Sequence, residues 1–483
     1  MASSRKHLHG ALILLGAVTV LKLVLSSFAG LGDSEALYAV YGLHPQGGYL
    51  DHPPMIGWII RTTTMLLGTS SVAVRLGPIL LFPVTALLLY DLTLRLSSSP
   101  RAAFLSVVIL CATPVTFLGG LAATPDAPSA LLWMLGVWLL TIHVSQNVPD
   151  RKPVLHGALI GLVLGAALLA KYTNALLLLA FVVYILVHRR RWILTYLIPA
   201  LLTTVACATP IIIWNHAHGW SSLLHRLVWT QGEAGFSLRN VGALLGGQLL
   251  YVSPVIMVLV VLAMIRLWKE RKDDASRLLS LIVWIPAIAL WILCLWSSVA
   301  EPHWPAVAYL PVIALLARAW VAPRSSSRLK RLLRAGTITA GVFTAIGLLM
   351  VSTTLATRLG LVEPTTDITN ELRGWDEAAA KIIEVTPEDA LVVGPHWTVC
   401  AQLEWALQGQ RQVSCLSHEI DDYDEWLPVH PRDPGTYDRL HYVTDDRFRD
   451  HDAYVLTLEA RLLSMVEIER GGKVVRTFRI YKR

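Results

Sequence analysis

Asp33 and Glu35 stand two residues apart in Gly32–Pro54, GDSEALYAVYGLHPQGGYLDHPP, a stretch bounded by apolar runs that also carries His44, Asp51 and His52. A carboxylate at the edge of a bilayer is costly unless it has a partner or a task. Asp33 reads as a general base, taking the proton of an acceptor hydroxyl. The competing reading is a helix N-cap, because Asp33-Ser34 opens the helix-like run Glu35–Tyr41. His52-Pro53-Pro54 is rigid and extended. It makes His52 either a donor to a phosphate oxygen or a turn that caps the next helix.

Four further motifs are unusual for their polar residues. Asp126, in TPDAP, opens an apolar run, where Asp caps a helix well; as a second carboxylate it would bind sugar hydroxyls or a divalent cation. Lys171, in AKYTN, is either a cation snorkelling from a helix end or the neutraliser of a departing phosphate. Trp214–Trp220, WNHAHGW, places His216 and His218 two apart with no third ligand nearby, which argues against zinc. Asn215 and His218 are left as candidates for sugar or lipid phosphate. In EPHWPAVAY, His303 is a phosphate contact, Trp304 a stacking surface for sugar or prenyl, and Tyr309 a further contact; an interfacial aromatic belt explains the tryptophans equally well.

The elements that must position these residues are membrane helices. The chain of 483 residues is 54% hydrophobic and 16% charged, against about a quarter charged for a soluble domain. About eleven stretches are long and apolar enough to span the bilayer. They lie near 9–28, 72–94, 102–121, 127–145, 155–170, 173–187, 193–213, 241–265, 278–299, 305–321 and 335–356. The first is an uncleaved span, too long for the core of a signal peptide. The connections alternate in charge: one set holds 20 Lys and Arg and the other six, with Lys22 inside a span. The positive-inside rule puts the richer set in the cytoplasm, and an odd number of spans puts the C-terminal end outside. Every polar motif above then falls on the outer face. One extracytoplasmic site predicts that convergence.

Residues 1–364 hold 27 basic and 12 acidic side chains, and residues 365–483 hold 14 and 22. The second block lacks a long apolar run and is expected to be a separate soluble α/β domain outside the cell. Helices are expected at Glu371–Val385 and Val399–Leu407. Strands are expected at Ala390–Val393, Val413–Cys415, Leu440–Val443, Met465–Glu469 and Lys473–Tyr481, with a hairpin at Gly471-Gly472. Cys400 and Cys415 lie in this block and could pair in an oxidising compartment. Met55–Leu67 suits an interfacial helix, as does Ser221–Asn240 with Arg226, Glu233 and Arg239. The basic excess sits in short loops between spans, so nucleic acid is not expected as a partner.

Taken in order, DSEALYA, YLDHPP, ATPDAP, AKYT, WNHAHGW and HWPAVAYLP resemble bacterial glycosyltransferase family 39, GT-C fold relatives of protein O-mannosyltransferases and of the transferase that puts aminoarabinose on lipid A. GPHWTVCAQLEWALQGQ is similar to the soluble end of that family, so the resemblance covers nearly the whole chain. It implies a polytopic GT-C membrane domain over residues 1–364. It also implies a polyprenyl-phosphate-linked sugar donor and inversion at the anomeric carbon. By this resemblance the catalytic Asp of the first outer loop falls on Asp33, the second-loop carboxylate on Asp126 and the phosphate-contacting Lys on Lys171. The aminoarabinose transferase carries Lys where this chain has His52.

The resulting expectation is a multi-pass glycosyltransferase of the inner membrane. Asp33 deprotonates the acceptor, Lys171 with His52 or His303 stabilises the phosphate, and Asp126 and Glu35 hold sugar hydroxyls or a divalent cation. The acceptor is a lipid, glycan or protein, and no nucleotide-binding fingerprint is present. The alternative is a lipid or sugar transporter or flippase. Transporters place ionisable groups at mid-depth and show internal repeats; here the spans are largely free of charge at mid-depth, Lys22 and Asp91 aside, and no inverted repeat is evident.

Overall fold

A computed structural model describes residues 2–145, 151–232, 234–297, 299–353, 355–417, 419–429, 439–451 and 460–482. Six of its helices are long and apolar enough to cross a bilayer, Ser4–Phe28, Ser71–Ser97, Asp126–Val144, Pro153–Ala170, Asp274–Trp296 and Ser327–Ser352. Two further segments are bent. Arg190–Cys207 meets Thr209–Ala217 at 51°, and Leu238–Val252 meets Pro254–Lys269 at 101°. The expected straight spans 193–213 and 241–265 are therefore broken. The cause is local: Pro210 and Pro254 each sit at the start of the second helix and lack the N–H needed to continue the first. Pro114 likewise splits the expected span 102–121 into Pro100–Ala112 and Pro114–Gly119. With the bent pairs counted as single spans the described residues hold eight. Glu233, in the second expected interfacial segment, lies outside the described residues.

The two ionisable groups expected within spans find different neighbours. Asp91 accepts from the Trp138 indole at 2.7 Å and pairs with Arg95. Lys22 is fully buried, with its ammonium 3.3 Å from the centre of the Phe82 ring and 4.7 Å from that of Phe117.

Five strands follow residue 390: β1 (Leu391–Gly394), β2 (Gln412–Cys415), β3 (Leu440–Thr444), β4 (Arg461–Arg470) and β5 (Lys473–Lys482). They form one sheet in the order β2-β1-β3-β5-β4. The β1 pairings with β2 and β3 are parallel, and the β3–β5 and β4–β5 pairings are antiparallel. Gly471 and Gly472 turn the last hairpin at φ 61° and 76°, the left-handed region a two-residue hairpin loop requires. Helices Trp375–Val385 and Trp397–Leu407 accompany the sheet. Each expected strand and helix of this region is present within a few residues, except that Glu371 lies in a separate short 3₁₀ turn, Ile368–Leu372.

The first outer loop does not hang free. It folds into helix Asp33–Leu43, whose residues 35–42 are all buried, and then into helix Met55–Leu67. Leu37, Tyr41, Tyr49 and Ile60 share one apolar core with Trp375, Val392, Leu403 and Phe478 of the C-terminal region. The membrane helices have their own core around Trp133, Phe181, Leu279 and Val312.

A buried ion pair fastens the first loop. The Arg75 guanidinium donates to Glu35 Oε1 at 2.8 Å and Oε2 at 2.6 Å. It also donates to the carbonyls of Ala29 at 2.8 Å and Gly30 at 2.6 Å. Glu35 accepts in addition from the backbone N–H of Gly32 at 3.1 Å and of Ala123 at 2.9 Å. Burial pushes the Glu35 carboxyl up, but the Arg75 charge and these donors outweigh it and hold it below its usual range. Removing one partner of such a pair strands the other charge, at about 3–5 kcal/mol. Arg75→Leu should therefore lower the thermal midpoint of the purified protein sharply, and Glu35→Gln added to Arg75→Leu should restore part of the loss. A double variant as unstable as the sum of the two singles would show that the groups do not act as a pair.

Candidate functional site

A cavity of about 530 Å³ opens where the first loop, the outer helix ends and the C-terminal region meet. Part of its lining is apolar, with Phe82, Leu110, Val115, Leu118, Val307 and Leu310. The rest gathers polar groups from distant parts of the chain: Asp51 and His52, Asp126, Lys171, His225 and Arg226, then Glu301, His303 and Trp304. The C-terminal region adds Trp397, Glu419 and Asp421.

The polar lining contains two paired sets. In the first, the Asp51 carboxylate receives His225 Nε2 at 3.0 Å and Arg226 Nη2 at 3.1 Å. Arg226 also donates to the Asp51 carbonyl at 2.9 Å and to His52 Nε2 at 3.2 Å. Burial works to raise the Asp51 carboxyl, but the His225 hydrogen bond and the Arg226 charge outweigh it, so Asp51 is held well below the carboxylate range. Burial first, and Arg226 second, push His52 down to about 3. His52 is therefore neutral at physiological pH, where a lysine would be charged.

In the second set, Lys171 Nζ lies 2.7 Å from Asp126 Oδ1, and His303 Nε2 lies 3.5 Å from Oδ2. The Lys171 ammonium also lies 5.5 Å from the centre of the Trp304 ring. Local sequence explains why these residues meet. Helix Pro153–Ala170 ends at extended Lys171, φ −159°. Asn174 donates back to the Ala167 carbonyl at 2.7 Å and accepts from Ser129 at 3.0 Å, tying the two helix ends together.

Of the residues singled out in the sequence, Lys171, His52, His303, Asp126 and Trp304 line the cavity; Asp33, Glu35, Asn215, His218 and Tyr309 do not. Ser34, not Asp33, faces it. The Asp33 carboxylate points to the C-terminal region, where it accepts from Gln402 at 3.1 Å and pairs with Arg447. Glu35 is committed to Arg75. Asn215 donates to the Ile211 carbonyl of its own helix at 3.1 Å. His218 stacks on Trp214 at 4.2 Å and lies 3.0 Å from Glu425. Tyr309 is held between Trp291 at 2.7 Å and Gln248 at 3.0 Å, a buried polar chain inside the helices.

Sequence reasoning gave no site role to Asp51, His225 or Arg226, and none to Trp397, Glu419 or Asp421. The first three carried a signal: Asp51 adjoins His52, and Arg226 belongs to the sparser of the two sets of Lys and Arg between the spans. Nothing in the linear order brings residues 397–421 to the same place. Among the described residues, no group of three or more His, Cys, Asp or Glu side chains is placed to hold a metal ion.

Comparison with known proteins bears out the resemblance read from the motifs. Residues 51–214 match the family model described as dolichyl-phosphate-mannose-protein mannosyltransferase. The chain is 26% identical over 309 residues to lipid A galacturonosyltransferase RgtD of Rhizobium johnstonii, covering 62% of this chain and 63% of that one. It is 26% identical over 242 residues to the undecaprenyl phosphate-alpha-4-amino-4-deoxy-L-arabinose arabinosyl transferase of Erwinia tasmaniensis, covering 48% of this chain and 43% of the relative. The chain thus spans less than two thirds of either. In fold it is similar to ArnT from Cupriavidus metallidurans bound to undecaprenyl phosphate, with TM-score 0.65, 16% identity and 98% of both chains covered. The archaeal oligosaccharyltransferase AglB from Archaeoglobus fulgidus is similar at TM-score 0.53 and 12% identity, over 89% of this chain and 69% of that one. The mostly helical, GT-C-type architecture expected from the sequence is the one observed.

The contact between first loop and C-terminal region carries its own titratable groups. Asp422 accepts from the Tyr41 hydroxyl and from the Leu50 N–H, both at 2.8 Å. Burial, then the Asp51 charge, raise it to about 8. Burial, then the Asp33 charge, raise Glu371 to about 7. A carboxyl whose folded-state pKa is raised binds its proton more tightly when folded. Its contribution is complete below the unfolded pKa of about 4.3 and is lost as pH rises through the folded value of about 7. Wild-type stability relative to Glu371→Gln should therefore fall between pH 4.5 and pH 7.5, read as the difference in thermal midpoint. A difference that stays flat, or that grows with pH, would contradict the raised Glu371.

Proposed function

We propose that this chain transfers a sugar from a polyprenyl-phosphate donor to an acceptor hydroxyl at the extracytoplasmic face of the inner membrane. The observation that supports the reading best is the cavity itself, whose lining joins apolar side chains that suit a prenyl chain with paired charges that suit a phosphate and a sugar. The relatives named for polyprenyl-phosphate and lipid A chemistry favour the same donor class and a lipid acceptor. On this reading residues 365–483 roof the site that residues 1–364 build.

Arg226 and Lys171 are the two Lys or Arg side chains lining the cavity, and each is neutralised by a carboxylate. A donor phosphate competes for both. Arg226, with neutral His52 beside it, offers the planar fork that suits a phosphate. As Lys171 shifts from Asp126 toward the phosphate, Asp126 loses its stabilising cation and becomes more basic. Asp126 then takes the proton of the acceptor hydroxyl as that oxygen attacks the anomeric carbon. The bond from that carbon to the phosphate oxygen breaks, and the electron pair leaves on a phosphate held by Arg226 and Lys171. Attack in line and opposite the leaving group inverts the anomeric centre. His303 and Trp304 orient the sugar, and Asp51 with His225 orients Arg226. In this scheme the proton acceptor is Asp126 and not Asp33. Asp33 instead holds the C-terminal region through Arg447.

Loss of a general base costs typically ~10²–10⁴-fold in rate. Asp126→Asn should lose activity in that range with folded yield preserved, in a transfer assay with labelled polyprenyl-phosphate sugar. Asp33→Asn should lower folded yield while activity per folded molecule stays within about tenfold of wild type, a smaller loss than any base removal. The opposite pattern, with Asp33→Asn well folded and inactive, returns the role of base to Asp33.

A further inference from the structure

Two cysteines of the C-terminal region are brought together by elements distant in the chain from the membrane helices. Cys400 lies on helix Trp397–Leu407 and Cys415 ends strand β2; both are buried in the same apolar core. In the parallel β1–β2 register, Gly394 lies opposite Cys415. A Cβ added at Gly394 would fall 2.8 Å from Cys400 Sγ. Glycine at 394 thus leaves the space through which the Cys400 sulfur approaches its partner across the strand. The two thiols lie near enough to act on one another's titration, and Cys415 on that of Asp421. Burial raises both thiols, so neither is a standing thiolate poised for catalysis.

We infer that Cys400 and Cys415 are joined by a disulfide in the mature protein. The inference rests on the extracytoplasmic placement proposed above, because disulfides form and persist in oxidising compartments. The reaction needs a disulfide-bearing oxidant of the cell envelope. One thiolate attacks a sulfur of that oxidant as the chain folds, giving a mixed disulfide. The second thiol displaces the oxidant, which leaves as a dithiol carrying both electrons and both protons.

The link has a place in the site. Trp397 opens the helix that carries Cys400, and Glu419 and Asp421 follow Cys415 on the rim; all three line the cavity. Asp421 is held by the Tyr423 N–H at 2.9 Å and the Ser417 hydroxyl at 3.0 Å. A bond between Cys400 and Cys415 fastens both rim segments to one another independently of the first loop.

The chain carries five cysteines. Membranes from cells with an intact envelope are denatured without reductant in a mass-tagging maleimide, and the tags are counted by gel shift. Three tags are expected for wild type and five after prior reduction, whereas Cys415→Ala should take four tags with or without reductant. Peptide mapping without reductant should then yield the 400 and 415 peptides as one species. Five tags on unreduced wild type overturn the inference. Glu384→Cys, at a side chain 65% exposed, reports the sidedness separately through an impermeant maleimide added to whole spheroplasts. Labelling of that residue alongside five free native thiols sinks the disulfide but leaves the orientation standing. Absence of labelling sinks the orientation as well.

Discussion

The Glu35–Arg75 pair is the constraint on which the outer half of the molecule depends. Arg75 reaches back to the carbonyls at the end of the first membrane helix. Glu35 reaches forward to the N–H of Ala123, three residues before Asp126. One ion pair thereby fixes the first helix end, the start of the first loop, the second long helix and the approach to Asp126. Both charges are buried at the edge of the apolar region, so every lone pair and donor must be satisfied, and few geometries do that. The pair supplies uniqueness of placement more than net stability.

The same rule governs the cavity. Two pairs of opposite charges stand within hydrogen-bonding distance in its lining: Asp51 with Arg226, and Asp126 with Lys171. An empty site of this kind costs little, because its charges already solvate one another. On the proposed reading an anionic donor would enter by exchange, taking the cations and leaving the carboxylates more basic. Neutral His52 adds no third fixed cation to these pairs.

The C-terminal region belongs to this arrangement structurally. Its helix Trp397–Leu407 packs on helix Asp33–Leu43, and Gln402 donates to the carbonyl of Leu31 at 2.8 Å and to Asp33. Asp33 is thus held from the side of the sheet region, while its neighbour Ser34 faces the cavity. Asp33, Gln402 and Arg447 thus tie the C-terminal region to the first loop.

Composition, apolar run length and charge alternation are properties of the linear chain, and they were enough to determine a polytopic helical protein with a C-terminal α/β region. Motif order was enough for the resemblance. Lys171 and Asp126 were legible because each stands alone among apolar residues at a helix end, where an unpaired charge is expensive. Chain breaks at Pro210 and Pro254 were present in the sequence, yet run length alone reads through a proline, so straight spans were expected there. Which way a loop carboxylate faces was not legible at all. Asp33, Ser34 and Glu35 are consecutive, and only the packing of helix Asp33–Leu43 between membrane helices and sheet turns the first to Arg447, the second to the cavity and the third to Arg75. Side-chain direction on a buried helix follows from what surrounds it on every side, and those surroundings come from residues 75, 123, 402 and 447, contacts that no local pattern encodes.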